Sequence, residues 1–281
     1  MDTPETRRLR NAFVDHLKAE GHVKSPAVEA ALRTVPRHVF VPWLEPKDAY
    51  RSTGGAVVDP DTTPETLSTV SQPAAVAIML EGFDIKPGMR VLEIGAGSGY
   101  NAALLAHLVG EAGRVATVDV EDFLVGKARR QLAAVGFERV EVVCGDGALG
   151  HLSGAPYDRI VATVGLPDIP AAWPEQLVPG GKIVVPLHLG VETHRCVLVS
   201  LEPKDSCLRG VGLGSLDMVL FRSEVARYGE KITRRWGKAW QGVRTDELKV
   251  TVYPKDADVP LEPQQLHIGK PESLTVLERL K

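Results

Sequence analysis

The sequence predicts an α/β fold in which a mostly parallel sheet has an antiparallel edge, N-terminal helices precede the sheet and a small module follows it. From Arg90 onward, short runs of β-branched residues alternate with helical stretches, a pattern typical of parallel strands joined by crossover helices. The first of these runs leads straight into three closely spaced glycines. With 281 residues, 44% of them hydrophobic and 25% charged, the chain has an ordinary globular composition and can bury a sizeable core.

Two helices are predicted within the first forty residues. Apolar side chains recur every four positions from Leu9 to Leu17, which places them on one face of a helix that Gly21 ends. Ser25 followed by Pro26 combines a cap residue with a proline suited to the first helical position. A second helix is therefore expected to begin there and to end before Pro36.

A long loop is predicted from Tyr50 to Thr69, because this segment is rich in glycine, proline, threonine and aspartate. A helix from Pro73 to Leu80 is expected to follow it. Long ordered loops often carry function, so this segment is of interest for the site.

The sheet is predicted from apolar, β-branched runs and from the helical stretches between them. Its parallel strands are expected at Arg90–Ile94, Arg114–Asp119, Val140–Cys144, Tyr157–Val161 and Lys182–Leu187. Its helices are expected near Tyr100–Val109, Phe123–Val135 and Ala171–Gln176. Two further strands, which are a common antiparallel addition to such sheets, are expected at Thr193–Leu201 and Gly210–Phe221.

The last sixty residues differ from the rest of the chain in charge. Residues 222–281 hold 12 Lys or Arg against 9 Asp or Glu, so this tail carries +3 while the preceding residues carry −6. Its predicted elements are a helix with Ile232, Trp236, Trp240 and Val243 on one face and strands at Leu248–Tyr253 and Leu274–Leu277. We therefore divide the chain into a domain of residues 1–221 and a small appended module of residues 222–281.

Composition excludes several classes of protein. A formal charge of −3 disfavours a protein that wraps nucleic acid, which would be strongly basic. No apolar stretch is long enough to span a bilayer, and the first residues lack the apolar segment of a secretory signal. A cytoplasmic protein without a membrane partner is expected.

The cysteines Cys144, Cys196 and Cys207 have unrelated spacings, so we expect reduced thiols and no metal site, although His188 and His194 lie near Cys196.

The strongest local signal is the segment VLEIGAGSGY, residues 91–100. Glycines at 95, 97 and 99 suit a tight turn from strand to helix whose backbone approaches a nucleotide-like ligand. Dinucleotide dehydrogenases favour G-x-G-x-x-G, whereas this turn follows the pattern E-x-G-x-G-x-G. The carboxylate of Glu93 would sit badly beside a pyrophosphate but well beside a cation such as an amino group or a sulfonium.

Acidic residues also follow the next two strands. Asp119 comes twenty residues after Gly99, where a carboxylate can accept hydrogen bonds from both ribose hydroxyls. Asp146 follows the third strand, where it can accept a hydrogen bond from an adenine amino group. Taken singly, each acid is also compatible with a solvated strand end, and for Glu93 this alternative stays open.

Together, the glycine turn and the three acids resemble the Class I S-adenosylmethionine-dependent methyltransferases. This resemblance implies a Rossmann-like fold, S-adenosylmethionine as cofactor and S-adenosylhomocysteine as product. The residues that it implies for cofactor binding are Glu93, Gly95, Ala96, Gly97, Ser98, Gly99, Asp119, Val120, Gly145, Asp146 and Gly147.

Further segments narrow the resemblance to one family. They are VPRHVFVP (35–42), STVSQPAAVAIMLE (68–81), GDG (145–147), APYDRIVATVG (155–165) and QLVPGGKIVVP (176–186). Over about residues 5–200 the chain resembles the protein-L-isoaspartate O-methyltransferases. The resemblance implies a catalytic domain, residues 1–221, that esterifies isoaspartyl carboxylates of proteins or peptides, after which the ester cyclises to a succinimide.

The same resemblance implies that Ser71 hydrogen-bonds the substrate carboxylate beside the methyl donor. A carboxylate with a reference pKa of about 4 is already ionised at neutral pH and needs no general base to attack a methyl group. The site must supply orientation and desolvation, which a hydroxyl and backbone N–H groups provide. Thr69 and Gln72 are expected in the same substrate pocket. Alternatively, Ser71 caps the helix that begins near Pro73.

Three features depart from the family pattern. Arg51 follows the Ala49–Tyr50 pair, where the family usually has an acidic residue. Residues 54–65 do not match the usual short loop before the serine-containing segment that begins at Ser68, which we call the serine segment. The strand at 214–221 lacks the family's usual ending, and a tail of sixty residues follows it. These departures leave two alternatives open. One is a peptide-tailoring methyltransferase that esterifies a specific aspartate of a ribosomal peptide precursor to give an aspartimide. The other is a non-catalytic module in which the basic, tryptophan-containing segment binds RNA or a protein partner.

Overall fold

The computed structural model describes residues 2–51, 57–63, 68–188, 195–204, 207–217, 248–254, 266–269 and 273–279. The chain divides into two compact units, Met1–Gly145 and Asp146–Lys281. The predicted boundary between residues 221 and 222 lies outside the described residues and stays a prediction.

The first unit begins with helices whose starts follow from their capping residues. Thr3 caps the first helix by accepting a hydrogen bond from the Thr6 N–H, and Ser25 caps the second by accepting one from Val28, as its sequence predicts. The helices of this part are α1 (Pro4–Ala19), α2 (Pro26–Thr34), α3 (Pro46–Ala49) and α4 (Pro73–Phe83). A short 3₁₀ helix, Arg37–Phe40, lies between α2 and α3.

The predicted loop from Tyr50 to Thr69 contains a short strand that the sequence does not reveal. Strand β1 (Val57–Val58) pairs antiparallel with β2 (Thr69–Val70), with Val57 opposite Val70 and Val58 opposite Thr69. Two residues are too few for a period-two pattern to stand out among polar neighbours. The pairing places Val57 and Val58 beside Thr69 and Val70, the two residues that lead to Ser71.

The parallel strands of the first unit match the prediction closely, and β3 and β4 match it at both ends. They are β3 (Arg90–Ile94), β4 (Arg114–Asp119) and β5 (Glu141–Cys144), joined by α5 (Tyr100–Val109) and α6 (Asp122–Ala134). Strands β3 and β5 both pair in parallel with β4. Because parallel strands end at one edge of their sheet, the residues after β3, β4 and β5 come together there.

The core of the first unit is built from apolar side chains of its helices and of β3, among them Leu17 and Leu32 on the two predicted helix faces. Its largest fully buried apolar side chains are Leu17, Leu32, Phe40, Met79, Leu80, Phe83, Leu92, Ile94 and Leu104. Burying each such side chain stabilises the fold by roughly 1.5–3 kcal/mol. The helices α1, α2, α4 and α5 and the strand β3 therefore hold the glycine turn in a rigid frame.

The second unit is a sheet with one parallel pair and several antiparallel pairs. Its strands are β6 (Tyr157–Ala162), β7 (Leu177–His188), β8 (Arg195–Lys204), β9 (Cys207–Asp217), β10 (Leu248–Pro254), β11 (Leu266–Gly269) and β12 (Ser273–Arg279). β6 and β7 are parallel, whereas β7–β8, β8–β9, β9–β10, β10–β12 and β11–β12 are antiparallel. The predicted α/β class with parallel strands and an antiparallel edge is confirmed.

The second unit differs from the prediction in several details. Strand β7 begins at Leu177, five residues before the predicted start at Lys182, and the sequence does not predict β11. The helix expected at Ala171–Gln176 is a single 3₁₀ turn, Pro174–Gln176, because the chain continues directly into β7. The tail strand β10 pairs with β9, with Lys249 opposite Val211, so the tail extends this antiparallel sheet. The helix predicted around Trp236 and Trp240 lies outside the described residues.

In the described parts of the chain, no helix combines the length and the apolar character needed to cross a membrane.

Candidate active site

The glycine turn between β3 and α5 has a backbone that only glycine adopts without strain. Gly95, Gly97 and Gly99 have φ angles of 95°, 50° and 85°, all in the left-handed region. A Cβ atom on Gly99 would lie 3.3 Å from the Cβ of Ala128 and from the Cγ of Leu132 on α6. The glycines thus allow the turn to close tightly and α6 to pack against it.

Backbone hydrogen bonds fix the shape of this turn. The Gly95 N–H donates to the Val118 carbonyl across 2.8 Å, and the Gly99 N–H donates to the Ala96 carbonyl across 2.8 Å. The side-chain oxygen of Ser98, which is buried, accepts from the Tyr100 N–H at 3.4 Å. The predicted donor-binding residues of the turn therefore form one rigid loop.

Asp119, at the end of β4, lies against the glycine turn. Its Oδ2 accepts a hydrogen bond from the Gly97 N–H at 2.9 Å, and its Oδ1 accepts one from the Glu121 N–H at 3.2 Å. The carboxylate is partly exposed, and an ionised carboxylate can accept more than two hydrogen bonds. The structure therefore brings together the glycine turn and the acid for which the sequence predicts a ribose contact.

Glu93 is not a solvated strand end. It is fully buried, and its carboxylate accepts hydrogen bonds from Asn101 Nδ2 at 2.7 Å and from Thr117 Oγ1 at 2.6 Å. Burial raises the pKa of Glu93 to about 7, although these two hydrogen bonds oppose the shift. The solvated alternative is wrong because the side chain lies under the turn, between β4 and the first residues of α5.

The residues after β5 are shared between the two units. In the first unit, the Gly145 N–H donates to the Asp119 carbonyl at 2.9 Å, and a Cβ on Gly145 would meet no atom within 4 Å. The Cys144 thiol lies 3.9 Å from the Val120 carbonyl. The backbone at Gly145 therefore borders open space beside the end of β4, and its predicted contact with a donor stays a prediction.

In the second unit, Asp146 caps a short 3₁₀ helix, Gly147–Leu149. Its Oδ1 accepts a hydrogen bond from the Ala148 N–H at 2.9 Å. The Gly147 carbonyl accepts one from the buried indole of Trp173 at 2.8 Å. These contacts hold Asp146 and Gly147 in place, and their predicted contact with a donor stays a prediction.

Within the serine segment, two residues, Ser71 and Gln72, connect β2 to α4. The N-cap of α4 is Gln72, with Pro73 at the first helical position, so the alternative in which Ser71 caps the helix is wrong. Thr69 and Ser71 are partly exposed, and Gln72 is exposed. The hydroxyl of Ser71 is thus not required for capping.

The serine segment approaches the glycine turn closely. The hydroxyl oxygen of Ser68 lies 3.6 Å from the position that a Cβ on Gly97 would occupy. Ser68, which precedes the predicted substrate residues Thr69, Ser71 and Gln72, therefore lies beside the turn predicted for donor binding. Methyl transfer needs this proximity, since the reacting atoms must lie about 3–3.5 Å apart.

Arg37 is a residue of this region that our sequence reasoning missed. Its side chain is 2% exposed, its Nη2 donates to the Ser71 carbonyl at 3.1 Å, and its Nε donates to the Ala49 carbonyl at 3.1 Å. The guanidinium also lies over the ring of Tyr100, 5.1 Å from its centroid. An arginine inside the apolar run VPRHVFVP was the available signal, because a charged residue among buried neighbours needs specific partners.

Within the described residues, no group of three His, Cys, Asp or Glu side chains could hold a metal ion. His194, which lies near His188 and Cys196 in sequence, is outside those residues.

Comparison with protein families gives a match over most of the chain. The model described as protein-L-isoaspartate(D-aspartate) O-methyltransferase matches residues 7–207. A protein-L-isoaspartate O-methyltransferase of Methanopyrus kandleri is 46% identical over 182 residues, covering 64% of this chain and 77% of the relative. The corresponding enzyme of Methanococcus aeolicus is 39% identical over 214 residues, covering 76% and 94% of the two chains.

Solved structures support the fold over an even longer stretch. A protein-L-isoaspartate O-methyltransferase structure superposes with a TM-score of 0.71 at 26% identity, covering 97% of this chain and 88% of that one. A Plasmodium falciparum protein in complex with S-adenosyl-L-homocysteine superposes with a TM-score of 0.61 at 18% identity, covering 76% and 97%.

Proposed function

The chain belongs to the protein-L-isoaspartate(D-aspartate) O-methyltransferase family, a family of S-adenosylmethionine-dependent enzymes, and we propose that it esterifies isoaspartyl carboxylates of proteins or peptides through a site formed by the Ser71 segment and the glycine turn. The observation that carries this proposal is the approach of the serine segment to the turn, where Ser68 Oγ lies 3.6 Å from the Cβ position of Gly97. Its relatives favour this activity over peptide tailoring and over a non-catalytic binding module.

The residues of the turn fit the donor. Left-handed glycines and the open space at Gly145 leave room for a ligand against the backbone, and the Gly97 N–H of the turn holds the Asp119 carboxylate. In our proposal, Asp119 binds the ribose hydroxyls of S-adenosylmethionine and the glycine turn supports its methionine part. When bound, S-adenosylmethionine supplies an electrophilic methyl group, which the substrate carboxylate takes up as an ester.

The remaining residues orient the substrate. In our proposal, the Ser71 hydroxyl donates a hydrogen bond to the substrate carboxylate. Backbone N–H groups near the start of α4 donate further hydrogen bonds that orient the same carboxylate. Arg37 holds the Ser71 carbonyl from the buried side, so the Ser71 hydroxyl is presented by a fixed backbone. The carboxylate needs no general base because it is ionised at neutral pH. Once the ester has formed, the substrate's own backbone nitrogen displaces methanol to give a succinimide.

A pair of matched peptides tests the proposal. The full chain is incubated with S-adenosylmethionine labelled on the methyl group, and incorporation of the label is measured into an isoaspartyl peptide and into its aspartyl twin. We expect saturable transfer to the isoaspartyl peptide alone. Transfer to the aspartyl peptide alone, or to neither, would overturn the proposal. The cytoplasmic location expected from the sequence stays a prediction.

A further inference from the structure

A buried ion pair joins the long loop to the helix that follows the Asp119 strand. Lys127 on α6 is 8% exposed, and its Nζ lies 2.7 Å and 2.8 Å from the two carboxylate oxygens of Asp59, which is 1% exposed. Asp61 contributes a further contact at 2.8 Å from a carboxylate that is mostly in water. The Lys127 ammonium also lies 4.5 Å from the ring centroid of Trp43.

Such a pair is costly to build and therefore needs an explanation. Removing an ammonium and a carboxylate from water carries a desolvation penalty that their attraction often does no more than offset. A buried pair is thus weak support for stability and better suited to fixing one arrangement of the chain. The question is which segment the pair fixes.

Asp59 connects the pair to the serine segment through the backbone. Its N–H donates to the Ser68 carbonyl at 2.9 Å, directly beyond the β1–β2 pairing. The same Ser68 has its hydroxyl beside the Gly97 position of the turn. A displacement of Asp59 would therefore displace Ser68, which precedes Ser71 by three residues and contacts the turn.

A second contact leads from Lys127 to the same segment. Trp43, which the ammonium faces, packs against a buried cluster formed by Val41, Ala49 and Val70. Val70 is the residue immediately before Ser71. The ion pair is thus linked to the serine segment through the Asp59–Ser68 hydrogen bond, and the Trp43 ring is linked to it through the cluster that contains Val70.

The acidic partners come from the part of the chain that departs from the family pattern. Asp59 and Asp61 lie within residues 54–65, which do not match the usual short approach to the serine segment. The lysine lies 68 residues further along the chain from Asp59. Because its acidic partners lie in the divergent loop, the ion pair is a feature of this chain and not of the usual family pattern.

We propose that Lys127 and Asp59 are positioning residues, which hold the Ser68–Ser71 segment against the glycine turn so that Ser71 meets the substrate carboxylate in reacting geometry. The proposal rests on the proposed function for its kinetic consequence, and its structural consequence can be measured separately. Neither residue touches the substrate in this scheme, since both act through the backbone of residues 68–71.

The test uses the double variant Asp59→Asn with Lys127→Met in the full chain. This variant removes both charges. Lys127→Met alone would leave the buried carboxylate of Asp59 without a partner, and an unpaired buried charge would threaten folding. The matched control is Lys86→Met, which breaks the exposed Lys86–Asp84 pair. A Lys127→Arg variant keeps the charge and the aromatic contact and should recover part of the loss.

Two readouts decide the outcome. Amide hydrogen exchange in the peptide covering residues 68–72 should become faster in the double variant and stay unchanged in the control. The kcat/KM value for an isoaspartyl peptide should fall by about tenfold to a hundredfold, because small displacements of a reacting group cost that much. The Kd for S-adenosylhomocysteine should stay within about twofold, which a general loss of structure would not allow.

Exchange and kcat/KM that both match those of the wild type in a folded double variant would overturn the proposal. So would an equal weakening of S-adenosylhomocysteine binding, because the pair would then support the fold as a whole. If the wild type does not methylate the isoaspartyl peptide, the proposed function fails, while hydrogen exchange still decides whether the pair positions the segment.

Discussion

The guanidinium of Arg37 donates a hydrogen bond to the carbonyl oxygen of Ser71 across 3.1 Å, from a side chain that is 2% exposed. A second hydrogen bond reaches the Ala49 carbonyl, and Nη1 has no partner among the described residues. Burial lowers the pKa of Arg37, as expected for a cation removed from water. A charged group held at this cost beside the candidate substrate residue indicates a role in fixing the Ser71 backbone.

Replacing Arg37 should therefore affect both stability and catalysis. Arg37→Met removes two hydrogen bonds from a charged donor, each of which contributes roughly 1.5–3 kcal/mol, so we expect the free energy of unfolding to fall by about 3 kcal/mol. The kcat/KM value for an isoaspartyl peptide should fall roughly tenfold or more, because the Ser71 backbone is released. Urea unfolding and steady-state kinetics measure the two effects.

Arg8→Met is the control for this change, since Arg8 pairs with Glu5 on the exposed face of α1. It should change neither quantity measurably, because exposed pairs contribute little. Arg37→Lys should recover little activity, because an ammonium is a single point charge and cannot span two carbonyls as a guanidinium does. Full activity in Arg37→Met would contradict a positioning role.

Ser71→Ala should impair methyl transfer without weakening the fold. Because Gln72 is the N-cap of α4, the Ser71 hydroxyl is not a cap, so we expect no loss of the roughly 1 kcal/mol that a cap contributes. The kcat value should fall by about a hundredfold if the hydroxyl orients the reacting carboxylate. Binding of S-adenosylhomocysteine, measured by calorimetry, should be unchanged.

Ser25→Ala is the matched control, because Ser25 does cap its helix by accepting from Val28. It should lower the free energy of unfolding by about 1 kcal/mol and leave kcat intact. The two serines thus separate capping from catalysis within one chain. Unchanged kcat in Ser71→Ala would remove Ser71 from the reacting site.

The sequence alone predicts features that depend on neighbouring residues, but it does not predict contacts between residues far apart along the chain. Buried β-branched runs predict β3 and β4 to the residue, and the Ser25–Pro26 pair predicts the start of α2, because each signal is local. The contacts around the candidate site are not local. Arg37 reaches a carbonyl 34 residues away and Lys127 reaches a carboxylate 68 residues away, and no periodicity encodes such pairs.

The buried carboxyl of Glu93 should make stability depend on pH. Burial raises its pKa to about 7 in the folded state from 4.5, so the folded protein holds a proton that the unfolded chain has lost between these values. Stability therefore falls as pH rises through this window, by an amount of roughly 3 kcal/mol at about 1.4 kcal/mol per pKa unit. Urea unfolding at several pH values measures the slope.

Glu93→Gln should remove this contribution, because a neutral amide has no proton to lose. The difference between wild-type and variant stability should then grow in favour of the variant from pH 4.5 to pH 7. Glu5→Gln is the control of opposite sign, since Arg8 lowers the pKa of Glu5 and its contribution is lost as pH falls. Parallel stability curves for wild type and Glu93→Gln would show that the pKa of Glu93 is the same in the folded and unfolded chain.

The glycine turn can be tested by comparing two glycines with the same backbone conformation. Gly99 and Gly88 have φ angles of 85° and 84°, so alanine at either position carries the same backbone strain of roughly 1 kcal/mol. A Cβ on Gly88 would meet no atom within 4 Å, whereas one on Gly99 would press on Ala128 and Leu132 at 3.3 Å. Those contacts can be relieved only if α6 or the turn shifts.

We therefore expect Gly88→Ala to lose about 1 kcal/mol of stability and to bind S-adenosylhomocysteine like the wild type. Gly99→Ala should lose more, by a further 1–3 kcal/mol or so for overpacking, and should bind S-adenosylhomocysteine at least about tenfold more weakly. The weakening follows because the Gly97 N–H and the Asp119 carboxylate are joined by a hydrogen bond, so a displaced turn also displaces the acid proposed to bind the ribose. Equal affinities in the two variants would mean that the turn tolerates displacement and that the donor does not lie against it.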